Sequence, residues 1–251
     1  MQRFTLTLAE VPISATVQFP STREYCAEWE TPEATPVEHV TISEQDIAAE
    51  REPHTPPSQA EAFSSSYLET LALYRAIAQC MADHDAILFH GSVIEVDGKA
   101  YIFTAPSGTG KSTHARLWRE LLGSQARMIN DDKPLLRFNT GAAGTIQAYG
   151  TPWRGKHMLG TNIHAPVKGI CVLHQAPKNT MTRLSSAQSL PLLLQQTFRP
   201  KEADSLEKTL AMIMRMAAEL PVWSMGCTPT LDAAALSYTT MSGDRSFVQS
   251  F

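Results

Sequence analysis

The chain of 251 residues has only four cysteines, Cys26, Cys80, Cys171 and Cys227, and none of them falls in a CxxC or Cys/His zinc spacing. That excludes a disulfide scaffold or zinc module and leaves scattered reduced thiols, the pattern of a cytosolic protein. No apolar run approaches the roughly 20 residues that cross a bilayer. The first twelve residues carry Glu10 and Pro12 where a signal peptide needs an apolar stretch. The expectation is therefore a cytoplasmic protein with no membrane partner. Positive charge is not in excess either: 21 Lys and Arg against 25 Asp and Glu give a net charge of −4. A broad nucleic-acid surface is normally basic, so no nucleic-acid partner is expected. There is no internal repeat, heptad array or low-complexity tract, and no NKxD guanine-reading motif.

What is present suits a packed α/β core, with 43% apolar residues. Residues 3–19 alternate (Phe4, Leu6, Leu8, then Ile13, Ala15, Val17, Phe19) and read as a β-hairpin turning at Val11-Pro12. Residues 20–36 read as loop, 37–42 as a further strand, and Pro53, Pro56 and Pro57 as a break. From Ser64 the spacing becomes helical, with Tyr67, Leu68, Leu71, Tyr74, Ile77, Ala78 and Met81 on one face. A strand over Ala86–Val96, the turn Asp97-Gly98 and a strand over Ala100–Thr104 follow, then a helix over Lys111–Leu122 closed by Gly123 and a short strand Arg127–Asn130. Further on, Gly141–Gly144 reads as a turn, Val167–His174 and Pro221–Met225 as strands, and Ser185–Gln196, Ala203–Glu219 and Leu231–Met241 as helices. This divides the chain into a β-rich N-terminal lobe (1–60), a larger domain (61–241) and a frayed tail (242–251).

Between the strand ending at Thr104 and the helix opening at Lys111 lies Ala105-Pro106-Ser107-Gly108-Thr109-Gly110-Lys111-Ser112. It is a Walker A sequence in which Ala105 replaces the first glycine. Glycines let backbone N–H groups turn inward around an anion, and the helix N-terminus adds its dipole at the same point. Ser107, Gly108, Thr109, Gly110, Lys111, Ser112 and Thr113 are the candidate ATP-binding residues, with Lys111 on the β/γ-phosphates and the Ser112 hydroxyl on Mg²⁺. Asp131 and Asp132 follow 20 residues after Lys111, at a strand end, where adjacent carboxylates repel unless a cation sits between or beside them. One suits a metal ligand and the other a proton acceptor. His90 lies in the strand before the hairpin. Trp153-Arg154-Gly155-Lys156-His157 is a compact cationic cluster suited to clamping phosphate charge.

The order of these motifs, His90-Gly91-Ser92, the Asp97-Gly98 hairpin, the phosphate loop, Asn130-Asp131-Asp132 and then Trp153–His157, resembles the HPr kinase/phosphorylase and phosphoenolpyruvate carboxykinase group over residues 86–160. The resemblance implies an α/β fold with a P-loop core and the mixed sheet of that group. It implies an ATP- and Mg²⁺-dependent kinase with Asp131 as general base, Asp132 as metal ligand, His90 near the reacting phosphate, and Arg154, assisted by Lys156, on the phosphate charge. The acceptor would be a serine hydroxyl of a peptide or small protein, or a small-molecule alcohol. The resembled kinases form oligomers, so a homo-oligomer is within expectation. Ser112 is followed by Thr113-His114 where those kinases usually show Ser-Glu, and Trp-Arg-Gly-Lys-His stands for their Ile-Arg-Gly-Leu-Gly, which points away from HPr itself. A nucleotide-binding sensor without chemistry and a carboxykinase-like enzyme are the alternatives.

Overall fold

The structure, a computed structural model, describes residues 1–54, 63–138 and 144–244. Strands β1 (Gln2–Leu8) and β2 (Val11–Val17) form the expected hairpin, with Leu8 opposite Val11. The turn is Ala9-Glu10, both at positive φ (46° and 64°), so it falls two residues before the anticipated place and leaves Val11-Pro12 inside β2. Two positive-φ residues twist a two-residue turn the way the flanking strands already twist.

The stretch expected to be loop is half helical. α1 (Pro20–Cys26) begins with a proline, whose missing N–H is one that no helix start can satisfy internally. The open donors around its N-terminus are taken from a distance. Glu69, 0% exposed on the next long helix, accepts from Gln18 N, Phe19 N and the Thr22 hydroxyl at 2.6, 3.0 and 2.6 Å. A single 3₁₀ turn, Ala27–Trp29, follows. β3 (Glu38–Thr41) then pairs parallel with β2 to complete a three-stranded sheet.

α2 (Glu44–His54) was not anticipated. Its residues carry little apolar periodicity beyond Ile47, and it starts on a Ser43/Asp46 exchange of hydrogen bonds. It extends past Pro53, while Pro56 and Pro57 lie outside the described residues. α3 (Ser65–Cys80) is the expected helix, capped by Ser64 accepting from Tyr67 N.

Among the described residues the larger sheet has nine strands: β4 (Ala86–Leu88), β5 (Ser92–Val96), β6 (Lys99–Thr104), β7 (Arg127–Asn130), β8 (Leu135–Phe138), β9 (Ile146–Tyr149), β10 (His164–Gln175), β11 (Thr180–Arg183) and β12 (Val222–Cys227). The helices are α4 (Lys111–Leu122), α5 (Ser186–Gln196), α6 (Ala203–Glu219) and α7 (Leu231–Ser242). The turn expected at Gly141–Gly144 falls mostly outside the described residues, as does the tail from residue 245.

β10 is the hub. Its first residues pair antiparallel with β9, and its later ones pair parallel with β6 and with β12. Successive side chains of a strand face opposite ways, and here the two faces have different covers. Ala100 and Ile102 of β6 pack with Leu193 of α5 and Ile213 and Met216 of α6. Tyr101 and Phe103 pack with Ala115 and Trp118 of α4 and Tyr238 of α7. The mixed α/β sheet is thus covered on both faces. The small sheet shares its core with α3 and with Leu135, Tyr149 and Trp153. All four cysteines are free thiols. No helix among the described residues is long and apolar enough to cross a membrane.

Ala86–Val96 is not one strand. β4 pairs with β8 and β5 pairs with β6 and β7, so the chain changes partners between them. The backbone there bonds to three separate segments: Phe89 N to Pro134 O, His90 N to Gln196 O and Gly91 N to Asp132 O. A side chain at Gly91 would meet Phe103 O at 3.0 Å, so glycine permits the crossing.

Candidate functional site

Strand polarity makes the site. β5 is antiparallel to both β6 and β7, so the ends of β6 and β7 and the start of β5 lie at one edge of the sheet. Three sequence features therefore meet there: the glycine loop after β6, the aspartate pair after β7, and His90 just before β5. The Thr104 hydroxyl ties two of these strands together by donating to His90 O at 2.7 Å.

In the loop, Gly108 and Gly110 have φ of 78° and 120°, which residues with a Cβ adopt only under strain. Ala105 is buried and its methyl joins the core under α4 and α7, which accounts for an alanine at that position. Lys111 is 8% exposed, and its Nζ donates to Ala105 O at 2.9 Å and Pro106 O at 3.4 Å. Burial holds its pKa below the usual lysine range, against the attraction of Asp132 and Asp131.

The two aspartates face different groups, as neighbours at a strand end do. The Asn130 carboxamide first shapes the turn, accepting from Asp132 N at 2.8 Å and Lys133 N at 2.7 Å. Asp131 is 4% exposed, accepts from the Ser92 hydroxyl at 2.7 Å and has the Ser112 hydroxyl nearby. Burial, helped by the charge of Asp132, raises its pKa despite those hydroxyls. Asp132 has a 32% exposed side chain, with Lys133 Nζ at 3.1 Å and His90 Nε2 at 3.4 Å from Oδ1. Burial pushes its pKa up, but the His90 hydrogen bond and the Lys133 charge outweigh that and hold it below the usual aspartate value. His90 is fixed on its other side, Nδ1 lying 3.0 Å from Gln196 Oε1.

A cavity of about 350 Å³ collects most of the expected residues: His90, Ser107, Gly108, Gly110, Lys111, Ser112, Thr113, Asp131, Asp132 and Lys156, with Gly155. Two are elsewhere. Thr109 lines a neighbouring cavity of about 630 Å³, shared with Gly108 and Gly110 and walled by Leu117, Gln175, Ala176, Pro177, Cys227 and Pro229. Arg154, expected on the phosphate charge, does not line the first of these cavities. Its Nη1 donates to Glu28 Oε2 at 3.1 Å and its guanidinium lies 5.3 Å from the centre of the Trp29 ring. Gln196 and Lys133 are site partners that had not been singled out, and Ser92 had been named only within the His90-Gly91-Ser92 motif. Ser92 carried a weak signal, a hydroxyl two residues after His90 at the start of a mostly apolar strand. Gln196 carried none, being one polar residue at a helix end.

α4 also carries a buried histidine. His114, 2% exposed, has Nε2 at 2.8 Å from the Ser237 hydroxyl oxygen, which also accepts from Trp118 Nε1 and donates to Ala234 O. Burial lowers the His114 pKa from the ordinary 6.5 to about 4. The unfolded chain thus takes up a proton near pH 6.5 that the folded chain refuses until about pH 4. Stability is unaffected by this group above that window and falls as pH drops through it, by about 3 kcal/mol in full. Urea unfolding of wild type and His114→Gln between about pH 7 and pH 4 is expected to show a shallower acid loss in the variant. Equal slopes would refute the assignment.

Among the described residues, no group of three or more His, Cys, Asp or Glu side chains is arranged to hold a metal ion. Ser112 and Asp131, both lining the pocket at the glycine loop, offer two hard oxygen donors. That set fits Mg²⁺, which takes one or two carboxylates and completes its shell with water and phosphate oxygens.

No protein-family model matches the chain, and no curated protein matches it in sequence. Among solved structures the chain has a weak likeness to the HPr(Ser) kinase/phosphatase from Coxiella burnetii, at 10% identity and a TM-score of 0.35 over 64% of this chain and 92% of that one.

Proposed function

We propose that the chain is an ATP- and Mg²⁺-dependent phosphotransferase, a kinase of HPr kinase-like design that passes the terminal phosphoryl group to a hydroxyl of a peptide, small protein or small molecule. The observation that carries the reading is the meeting of a Walker-type glycine loop, an aspartate pair and His90 in one pocket. The HPr kinase-like design rests on the order of those motifs along the chain.

The backbone N–H groups of the loop and the N-terminus of α4 receive the phosphates. Lys111, lightly held by two carbonyls, exchanges them for phosphate oxygens. When bound, Mg²⁺ offsets the negative charge of the phosphate oxygens. Ser112 and Asp131 are the residues to hold it. Asp132, more exposed and backed by His90, takes the acceptor's proton as the hydroxyl oxygen bonds to phosphorus and the bond to the leaving ADP breaks. This exchanges the two aspartate roles that the resemblance implies, because Asp131 lies beside Ser112 and Asp132 is the more exposed of the pair. The apolar cavity across the loop, walled by Leu117, Ala176 and Pro177, suits the nucleoside.

The test is transfer of labelled γ-phosphate from Mg-ATP into a fractionated extract. A discrete labelled species, protein or metabolite by its size, is the expected result. Binding of Mg-ATP without any transfer would instead favour a nucleotide sensor.

A further inference from the structure

Arg154 raises a question the phosphate pocket does not answer. It belongs to a cationic cluster beside the site, yet it is turned toward the small sheet's side of the molecule. The group that holds it there holds more than Arg154. Glu28 Oε2 accepts from Arg154 Nη1 at 3.1 Å, and Glu28 Oε1 accepts from Asn162 N at 2.8 Å. The Asn162 carboxamide returns a hydrogen bond to Glu28 O at 3.1 Å. Beneath this lies Trp29, buried, whose indole N–H donates to Gly150 O at 3.0 Å.

The segment between those ends is the one that reaches the phosphate pocket, through Gly155 and Lys156. It abuts Asp132 closely, since a side chain at Gly155 would lie 3.0 Å from Asp132 Cβ. Its conformation is not one the local sequence prefers: Met158 has a φ of 51° and is 43% exposed, so its own side chain does little to hold the backbone there. On one side Thr161 N bonds to Ile129 O at 3.2 Å, fixing the segment to β7. On the other, Glu28 joins its two ends.

We infer that Glu28 is a positioning residue for the phosphate pocket, stapling the ends of the 154–162 segment so that Lys156 and Gly155 stand against the phosphate site, an inference that rests on the nucleotide reading of that site. Arg154 then serves as a strut between Glu28 and Trp29. Glu28 in turn sits just beyond α1, whose start is held by Glu69, so the small sheet's side of the molecule sets the geometry of the pocket without touching it.

The experiment uses the full chain with Glu28→Ala, Glu28→Gln and, as control, Glu30→Ala, which loses only a partly exposed pair with Arg23. Two quantities are read: the rate of tryptic cleavage after Arg154 and Lys156, followed by mass spectrometry, and the Kd for ATP with Mg²⁺. Melting curves check that each variant is folded. Glu28→Ala is expected to speed cleavage about tenfold, because the segment opens locally. It should also raise the Kd about fivefold, because Lys156 is no longer held in place. Glu28→Gln keeps an acceptor for Asn162 N and should lie between, while Glu30→Ala should match wild type. Unchanged cleavage in Glu28→Ala overturns the staple. Faster cleavage with an unchanged Kd overturns its link to the pocket. A wild-type chain that binds no ATP overturns the nucleotide reading instead, and cleavage still decides the staple.

Discussion

Lys111→Ala is expected to lower kcat/KM for phosphoryl transfer by about 10³-fold while leaving the protein folded. The loss follows from where the ammonium stands. It is 8% exposed at the start of α4, so its charge acts on a bound phosphate through little solvent. Its stability effect has the opposite sign. Burial lowers the Lys111 pKa, so at neutral pH the folded state holds the charge at some cost. Removing it is expected to leave the melting temperature unchanged or slightly higher, the pattern of a residue kept for function at the expense of stability. Lys111→Arg should not restore activity, since a planar guanidinium does not fit where Nζ lies 2.9 Å from Ala105 O. Transfer assays on the three proteins, with melting curves beside them, decide it. Full activity in Lys111→Ala would remove the phosphate-loop reading.

The parts of this site that were legible in the sequence are those whose chemistry is local. Gly108 and Gly110 announce a loop with positive φ, and Lys111 opens the helix that follows it. Asp131 and Asp132 follow a short strand centred on Met128 and Ile129, which places them at its end. The long helices α3, α4 and α6 carry enough apolar periodicity to be read within a residue or so of their ends. What was not legible depends on contacts between distant segments. α1 was missed because its N-terminal donors are satisfied by Glu69, far along the chain, and not by a neighbouring cap. α2 was missed because it has almost no apolar stripe. The break at His90-Gly91 was hidden because an unbroken apolar run looks the same whether it keeps one set of partners or changes them. Arg154 shows the limit most plainly. A cation beside a phosphate loop suggests a clamp, and only the positions of Glu28 and Trp29 turn it into a strut.

The aspartate pair separates two assignments that adjacency alone leaves equal. Both Asp131→Asn and Asp132→Asn keep the side-chain volume and remove a charge, so each is expected to fold. Each should lower kcat by about 10²-fold or more, within the usual range for a lost acid–base or charge-stabilising group. The difference lies in what accompanies the loss. Asp131 accepts from Ser92, lies beside Ser112 and is only 4% exposed. Its asparagine variant should need more Mg²⁺ for half-maximal rate and bind Mg-ATP more weakly, because a hard anionic donor beside Ser112 is gone. Asp132 faces His90 and Lys133. Its variant should bind Mg-ATP as tightly as wild type and lose kcat alone, the mark of an interaction needed in the transition state and not in the bound ground state. Magnesium titrations of the rate, with Kd values for Mg-ATP measured on both variants, read this directly. If the pattern is reversed, with Asp131→Asn losing only kcat and Asp132→Asn losing metal dependence, then Ser112 stands beside a base instead of a metal ligand. The roles would then stand in the order that the motif resemblance implies.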